Sequence, residues 1–429
     1  MKAISYSLVV CILSIFMWSC KSNNNKEIRQ VTAKDILGNP EYLAISYGGY
    51  RQNTRDIQPT IPQLKEDMKI LYAMGIRVLR SYNVQLEQAP NILKAIKELK
   101  EEAKENKTDF EMYVMLGAWI DCKNAWTDQA PNHEVESEQN EGEIARAVAL
   151  ANEYPDIVKV IAVGNEAMVK WAASYFVQPW VILKWVNHLQ NLKKEGKLPK
   201  DLWITSSDDF SSWGGGDPIY HVKDLEDLIK AVDYISLHTY PYHNSHYNPD
   251  FWYTPEETNS LSKKEKIEKA IIRSIEFSQR QYDSVKNYMK SLGVNKPVHI
   301  GETGWATVSN GHYGPGPGGS KASDEYKKGL YYKLMREWTN RDSISCFYFE
   351  AFNEPWKDSH NTKGSENHFG LITVDGKAKY PLWDLVDKGV FDGLTRDGNP
   401  IKKTYDGNLE ALMEDVLVPP TKAEMSTPH

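Results

Sequence analysis

Two glutamates close two strand-like apolar runs. The first run, Ile157-Val158-Lys159-Val160-Ile161-Ala162-Val163, ends on Gly164-Asn165-Glu166. The second, Pro297-Val298-His299-Ile300, ends on Gly301-Glu302-Thr303-Gly304-Trp305. Each run delivers a carboxylate at its C-terminal end, among small residues that let a ligand approach the backbone. Two carboxylates across one cleft are what acid-assisted cleavage of a glycosidic bond requires. For that work Glu166 has to stay protonated near neutral pH, which needs an apolar or anionic setting. Asn165 beside it is placed to hold a sugar hydroxyl, and the indole of Trp305 offers a face for a pyranose. Either motif alone has a plainer reading, a salt-bridged glutamate or one that caps the next helix, because three-residue patterns recur by accident. Both together, each at a strand end, are far harder to obtain by accident.

The elements that must position these groups alternate along the chain. Strand candidates are Leu43 to Tyr47, Ile76 to Arg80, Phe110 to Leu116, Val158 to Val163, Leu202 to Ser206, Tyr234 to Leu237, Val298 to Ile300 and Ile344 to Phe349. They are short, β-branched or aromatic, and bounded by turn residues. Helix-period stretches fall between them: Gln63 to Met74, Ala89 to Lys104, Glu143 to Glu153, Trp180 to Lys194, Asp224 to Ala231, Lys263 to Leu292 and Asp324 to Asn340. The alternation predicts a single-domain (β/α)₈ TIM barrel over residues 41–390, of the α/β class. A doubly wound sheet is the rival. The barrel is preferred because the residues that look functional sit at the C-terminal ends of nearly every strand, where a barrel builds its site.

Bulk properties narrow the partners. A formal net charge of −7 argues against nucleic acid, which needs clustered lysine and arginine, and fits an uncharged ligand. The 13 tryptophans and 24 tyrosines read either as a large core or as stacking platforms along a groove. At the start of the chain, Lys2, the apolar run from Leu8 to Trp18, Ser19 and then Cys20 predict a secretion signal over residues 1–19. The segment is similar to a bacterial lipoprotein cleavage box, with Cys20 as the lipidated first residue of a tether over residues 20–40. A plain signal peptide with an incidental Cys20 is the alternative. The expectation is therefore export, with membrane contact only through a lipid anchor on the cell envelope, and action as a monomer. Cys122 and Cys346 are the other cysteines beyond the signal, which excludes a disulfide scaffold and leaves both as free thiols. Residues 391–429 read as a weakly packed tail.

Cofactor signals are missing from the sequence. The glycine-rich run Gly314 to Lys321 lacks phosphate-loop spacing, and its prolines remove N–H donors. His238, His243 and His246 have neither partnering cysteines nor a helical His-Glu spacing, so no metal is expected. No dinucleotide fingerprint occurs, and no cofactor is expected.

Taken along the whole barrel, the motifs resemble glycoside hydrolase family 17, the β-1,3-glucanases of a large retaining (β/α)₈ clan. Gly164-Asn165-Glu166 and Glu302-Thr303-Gly304-Trp305 carry the resemblance first. Ile45-Ser46-Tyr47-Gly48, Ile76 to Tyr82 and Ser236-Leu237-His238-Thr239-Tyr240-Pro241-Tyr242 are similar to the family's first, second and sixth strands. The block Phe347 to Lys357, with Glu350, Phe352, Glu354 and Trp356, closely resembles the eighth and is the most specific element. Ala306 departs from the pattern, since many members have proline after the tryptophan. The resemblance spans roughly residues 41 to 385. It implies retention of anomeric configuration, with Glu302 as nucleophile and Glu166 as acid and then base. It implies substrate contacts for Tyr47, Arg80, Tyr82, Asn165, Tyr240, Trp305, Glu350, Phe352, Glu354, Trp356 and Lys357, with a structural ion-pair cluster as the alternative for Glu350, Glu354 and Lys357. Tyr240, on a neighbouring strand end, is placed to hydrogen-bond Glu302 and keep it ionised, a core tyrosine being the plainer reading.

The function expected from all this is hydrolysis of a laminarin-type β-1,3-glucan. Endo action is favoured because long aromatic-rich loops suggest a groove with several sugar subsites. An exo-acting enzyme or a transglucosylase would use the same carboxylates. A β-1,4-galactanase of a related barrel family, or a glycan-binding lipoprotein without catalysis, are the remaining readings.

Overall fold

A computed structural model describes residues 30–256 and 260–425. Eight parallel strands close into a barrel: β1 (Leu43–Ser46), β2 (Ile76–Arg80), β3 (Tyr113–Ala118), β4 (Val158–Asn165), β5 (Trp203–Asp209), β6 (Ile235–His238), β7 (Val298–Gly304) and β8 (Cys346–Phe349). Neighbours in the barrel are neighbours in sequence, and β8 closes on β1 through Ile45 opposite Tyr348. The helices that follow the strands are α1 (Ile61–Ala73), α2 (Gln88–Asn106), α3 (Gln139–Glu153), α4 (Pro179–Lys194), α5 (Lys223–Ala231), α6 (Lys263–Ser291), α7 (Glu325–Arg341) and α8 (Trp383–Asp387). The predicted TIM barrel is the observed fold.

Local chemistry explains where the elements start. Thr60 accepts a hydrogen bond from the Gln63 amide at the head of α1, and Ser262 does the same with Glu265 at the head of α6, each as a capping box. The run Val158–Val163 is buried along its whole length, as a strand covered by barrel interior on one side and helices on the other must be. Five strands, β3 to β7, run further at their C-terminal ends than the sequence predicts. In β7 the ladder continues through Glu302 because Thr303 and Gly304 still pair with Tyr348 and Phe349 of β8. The strand ends that carry the chemistry are therefore held by backbone pairing.

The structure corrects two expectations at the edges of the barrel. The folded unit begins at Thr32, inside the stretch read as a tether. Ala33 and Ile36 are fully buried on a short helical turn, and the Gly38 amide donates to Ser345 Oγ at 2.8 Å. The predicted signal segment and Cys20 lie outside the described residues. The stretch from Phe391 to Met425 does not fray. Arg396 is fully buried, its Nε donates to Asp67 Oδ1 at 3.0 Å, and Thr254 bonds the carbonyls of Pro419 and Pro420. A tail rich in Gly, Pro and charge hides this, because its anchors are scattered contacts to distant elements, the most buried being Arg396 with its partner on α1.

Asp67 is the hub of that anchor. Its carboxylate accepts from Arg51 Nη2 at 2.9 Å, from Arg396 Nε and from the Tyr47 hydroxyl at 3.0 Å, all buried. Asp67→Ala would leave two guanidinium groups buried without their shared anion. It is expected to cost about 3 kcal/mol, read as a lower urea midpoint. An unchanged midpoint would show that the tail is held by something else.

Candidate active site

β4 and β7 place their glutamates on facing rims of the barrel mouth. After Gly164 the chain turns sharply. Gly164 has φ +81°, and a Cβ there would meet Ala167 Cβ at 2.8 Å, so only glycine fits. Glu166 itself sits at φ +47°, a left-handed conformation that strains a residue with a side chain. The strain is held from β5: the Glu166 amide donates to Ser207 O at 2.9 Å, and the Met168 amide donates to Asp208 Oδ2 at 2.7 Å. On β7, a Cβ at position 301 would lie 2.0 Å from Ser236 Oγ, so glycine lets this backbone press against β6 just before Glu302.

Three side chains share the gap between the rims. Ligating atoms of Glu166, His238 and Glu302 all lie within 4.8 Å of one another. Their hydrogen-bond partners make the two carboxyls unlike. Glu302 Oε2 accepts from Arg80 Nη1 at 2.5 Å and from the Tyr82 hydroxyl at 2.7 Å, while Oε1 accepts from the Tyr240 hydroxyl at 2.6 Å. Arg80 also bonds the Gly301 carbonyl and Asn165 Oδ1, tying both rims to one cation. Burial alone would raise the Glu302 carboxyl. The charges of His238 and Arg80 and the hydroxyls of Tyr240 and Tyr82 outweigh it and hold the group down to about 2. His238 is itself lowered to about 4 by burial. It is therefore neutral at neutral pH, where Arg80 and the two phenols carry the effect.

Glu166 lies at the opposite extreme. Burial, then the nearby charges of Glu302 and Asp209, push its carboxyl well above the usual range. One oxygen, Oε1, shares a hydrogen bond with His238 Nδ1 at 3.0 Å. His238 Nε2 in turn meets Ser207 Oγ at 2.8 Å, which meets Ser236 Oγ at 2.9 Å. The arrangement presents an ionised carboxylate and a protonated carboxyl to one small space, which is the equipment of a nucleophile and a general acid. Activity is expected to rise with pH as Glu302 loses its proton and to fall only as pH passes the raised value of Glu166.

The structure sorts the other predicted residues. Arg80, Tyr82, Asn165 and Tyr240 join the two glutamates. Lys357 lies 3.4 Å from Glu350 Oε2 and 3.8 Å from Glu354 Oε2, with its ammonium 4.3 Å from the Phe349 ring centroid. Burial raises the Glu350 carboxyl well above its usual range, and its Oε1 has no protein partner. Glu354 is spent within the protein, on the Trp356 indole at 2.9 Å and the Tyr50 amide at 3.3 Å. Trp356 is partly exposed, with Arg55 4.4 Å from its ring centroid.

Three expectations of sugar contact are corrected. Trp305 has no exposed surface; its Nε1 donates to Ala322 O at 2.9 Å, and its ring packs on Tyr331, Trp252 and Tyr242. Tyr47 is buried with its hydroxyl on Asp67. Phe352 is buried edge-on to Tyr47, under the Arg396 guanidinium at 4.2 Å. Side chains alternate in and out at a strand end, and these three point into the packing between barrel and outer layer.

Sequence reasoning missed His238 as a partner of Glu166, and with it Ser207, Ser236 and Asp208. The run Thr205-Ser206-Ser207-Asp208-Asp209, small hydroxyls and acids closing a barrel strand, was the available signal. His238 is a positioning residue, acting through Glu166. His238→Ala is expected to lower kcat on a polymeric substrate roughly 10- to 100-fold with KM near the wild-type value. An unchanged kcat in steady-state rates would remove it from the machinery.

Comparison with known proteins agrees with this geometry. Residues 44–370 match the model of the BtgE/BtgC glycoside hydrolase domain. The crystal structure of an endo-laminarinase from Formosa Hel1_33_131 is 68% identical, with TM-score 0.89, over 93% of this chain and 100% of that one. A probable glucan endo-1,3-beta-glucosidase of Aspergillus flavus is 22% identical over 382 residues, 83% of this chain and 45% of the relative. A glucan 1,3-beta-glucosidase of Arthroderma benhamiae is 38% identical over 93 residues, 20% of this chain and 28% of the relative. The chain thus spans less than half the length of these two curated relatives. A β-1,3-glucanosyltransferase of Rhizomucor miehei, 19% identical with TM-score 0.54 over 80% of this chain and 96% of that one, shares the fold. The matched span contains the barrel strands and both glutamates, and the chain belongs to the family of the BtgE/BtgC glycoside hydrolase domain.

Proposed function

We propose that this chain hydrolyses β-1,3-glucan of the laminarin type, within the polymer, with retention of anomeric configuration. The observation that carries the proposal is the close approach of the unlike carboxyls, one oxygen of each lying within 4.8 Å of the other. Retaining glycosidases hold the pair about 5–5.5 Å apart, whereas inverting ones leave room for a water at about 6.5–9.5 Å. The choice of β-1,3 linkage and endo mode is supported by the likeness to the Formosa endo-laminarinase over nearly the whole chain.

In the first step Glu302 carboxylate attacks the anomeric carbon while the Glu166 proton passes to the departing glycosidic oxygen. This leaves a glycosyl ester on Glu302 and a free sugar hydroxyl. In the second, Glu166 takes a proton from water, whose oxygen attacks the same carbon and releases Glu302 as carboxylate. Asn165 and Lys357 bind sugar hydroxyls around the reacting ring, and Trp356 flanks it; Glu350, buried beneath Lys357, holds that ammonium in place. The chain reaches its substrate as an exported protein, tethered through lipid on Cys20. Labelling with a palmitate analogue should mark the wild type and not Cys20→Ser.

The purified protein should convert laminarin first to a spread of mid-length oligosaccharides and later to short ones. Release of a single small sugar from the outset would overturn the endo mode, and no cleavage at all would overturn the function.

A further inference from the structure

The loops after β3 and β4 build a small second core outside the barrel. Val169, Ala172 and Tyr175 are buried together, with Trp119, Ala125 and Phe176 packed on them. The two loops are stitched to each other. The Cys122 amide donates to Tyr175 O at 3.1 Å, and Gln178 Nε2 donates to Glu134 Oε1 at 2.8 Å. The His133 ring stacks on Phe176 at 3.6 Å. The second loop starts at Glu166 and is closed at its base by the Val177 amide on Ala167 O at 2.7 Å.

This core carries an aromatic surface. Trp126 stacks on Tyr175 with centroids 5.0 Å apart and planes 24° from parallel, and Trp119 packs beside both. Trp126 is nonetheless 63% exposed, so its second face is open to solvent. It is not a loose side chain. Its backbone is fixed at φ +62°, a conformation that bulky residues rarely adopt. The Trp119 Nε1 donates to Asp121 Oδ2 at 3.3 Å, which sets the plane of the indole that packs beside Trp126. One face of the Trp126 indole packs on this core while most of its surface is left to solvent. The platform is continuous with the catalytic acid: Tyr175, on which Trp126 rests, belongs to the short loop that starts at Glu166 and closes through Val177 on Ala167.

We infer that the open face of Trp126, backed by Tyr175 and flanked by Trp119, is a stacking site for a glucose unit of the glucan chain at a distance from the scissile bond. The inference rests on the β-1,3-glucan reading above. A pyranose offers an apolar face of C–H groups to an indole, and a ring held in place beforehand binds without losing rotamer freedom. Continuity with the acid's own loop makes the polymer the occupant. The site should serve long chains and matter less to short ones that end before reaching it.

The test uses the full chain in two measurements. In native gels containing laminarin, the wild type should be retarded and Trp126→Ala should run markedly faster. Trp126→Phe should restore most of the retardation, and Ile272→Ala, on the exposed face of α6, should match the wild type. In steady-state assays, Trp126→Ala should lose about tenfold in kcat/KM on laminarin, the scale expected for truncating an interface aromatic. The loss should shrink as laminari-oligosaccharides shorten. Equal gel mobility of wild type and Trp126→Ala, or an equal loss at every chain length, would overturn the platform. A wild type that is retarded but turns nothing over would defeat the hydrolytic reading and leave the platform standing.

Discussion

Glu302→Gln is expected to lower kcat on laminarin by about 10⁴-fold or more, because the amide cannot form the glycosyl ester. The substitution keeps the shape of the side chain and removes its charge, so two further effects follow. Arg80 loses the anion it faces at 2.5 Å, and a fall in stability is expected alongside the loss of rate. Circular dichroism on the variant separates the two. The Glu166 carboxyl, raised first by burial and next by the charge of Glu302, should move down toward the ordinary range once that charge is gone. A carboxyl titration followed by carbon NMR reads this directly. An unchanged Glu166 value would mean that the two groups do not sense each other. The same electrostatics operates during turnover. When Glu302 is esterified its charge disappears, Glu166 becomes more acidic, and the group that gave a proton in the first step is ready to accept one in the second.

Glu166→Ala should cost about 10³-fold or more on laminarin, whose leaving group is a poor alkoxide that needs a proton. On a substrate with an activated aryl leaving group, such as a dinitrophenyl β-glucoside, the first step needs no such help. The loss there should be confined to breakdown of the glycosyl ester. Added azide should then restore turnover, because it attacks the ester without a general base, and the product should be the β-glycosyl azide. Equal losses on the polymer and the activated substrate, with no rescue, would contradict the acid–base role and place Glu166 in binding alone.

How much of this was legible in the sequence varies by residue, for physical reasons. The eight strands were legible because buried parallel strands must be short apolar runs, and both rims need them. Glu166 and Glu302 were legible because each is attached to such a run, among glycines whose need the structure explains: Gly164 at positive φ and Gly301 pressed on Ser236. Arg80, Tyr82 and Tyr240 came with the resemblance, and their contacts with Glu302 follow from strand ends converging on one mouth. Orientation was not legible. Trp305 follows Glu302 by three positions and suits a sugar by type, yet its ring points into the packing against Tyr331 and Trp252. Sequence separation hid the His238 chain, since its members lie on β4, β5 and β6 and meet only when the barrel closes. The tail was misjudged for the same reason, because Arg396 finds Asp67 across most of the chain.

The central claim is a covalent one: Glu302 becomes esterified to the reducing-side carbon of a glucan fragment, with Glu166 close enough to serve the same bond. Incubation of the wild type with a 2-deoxy-2-fluoro laminaribiosyl fluoride, followed by intact-mass and peptide-mapping mass spectrometry, tests it most directly. The account predicts one disaccharide unit per chain, attached within the peptide that holds Glu302 and absent from Glu302→Gln. A label on any other residue, or an active enzyme that accumulates no adduct and releases products of inverted configuration, would contradict it.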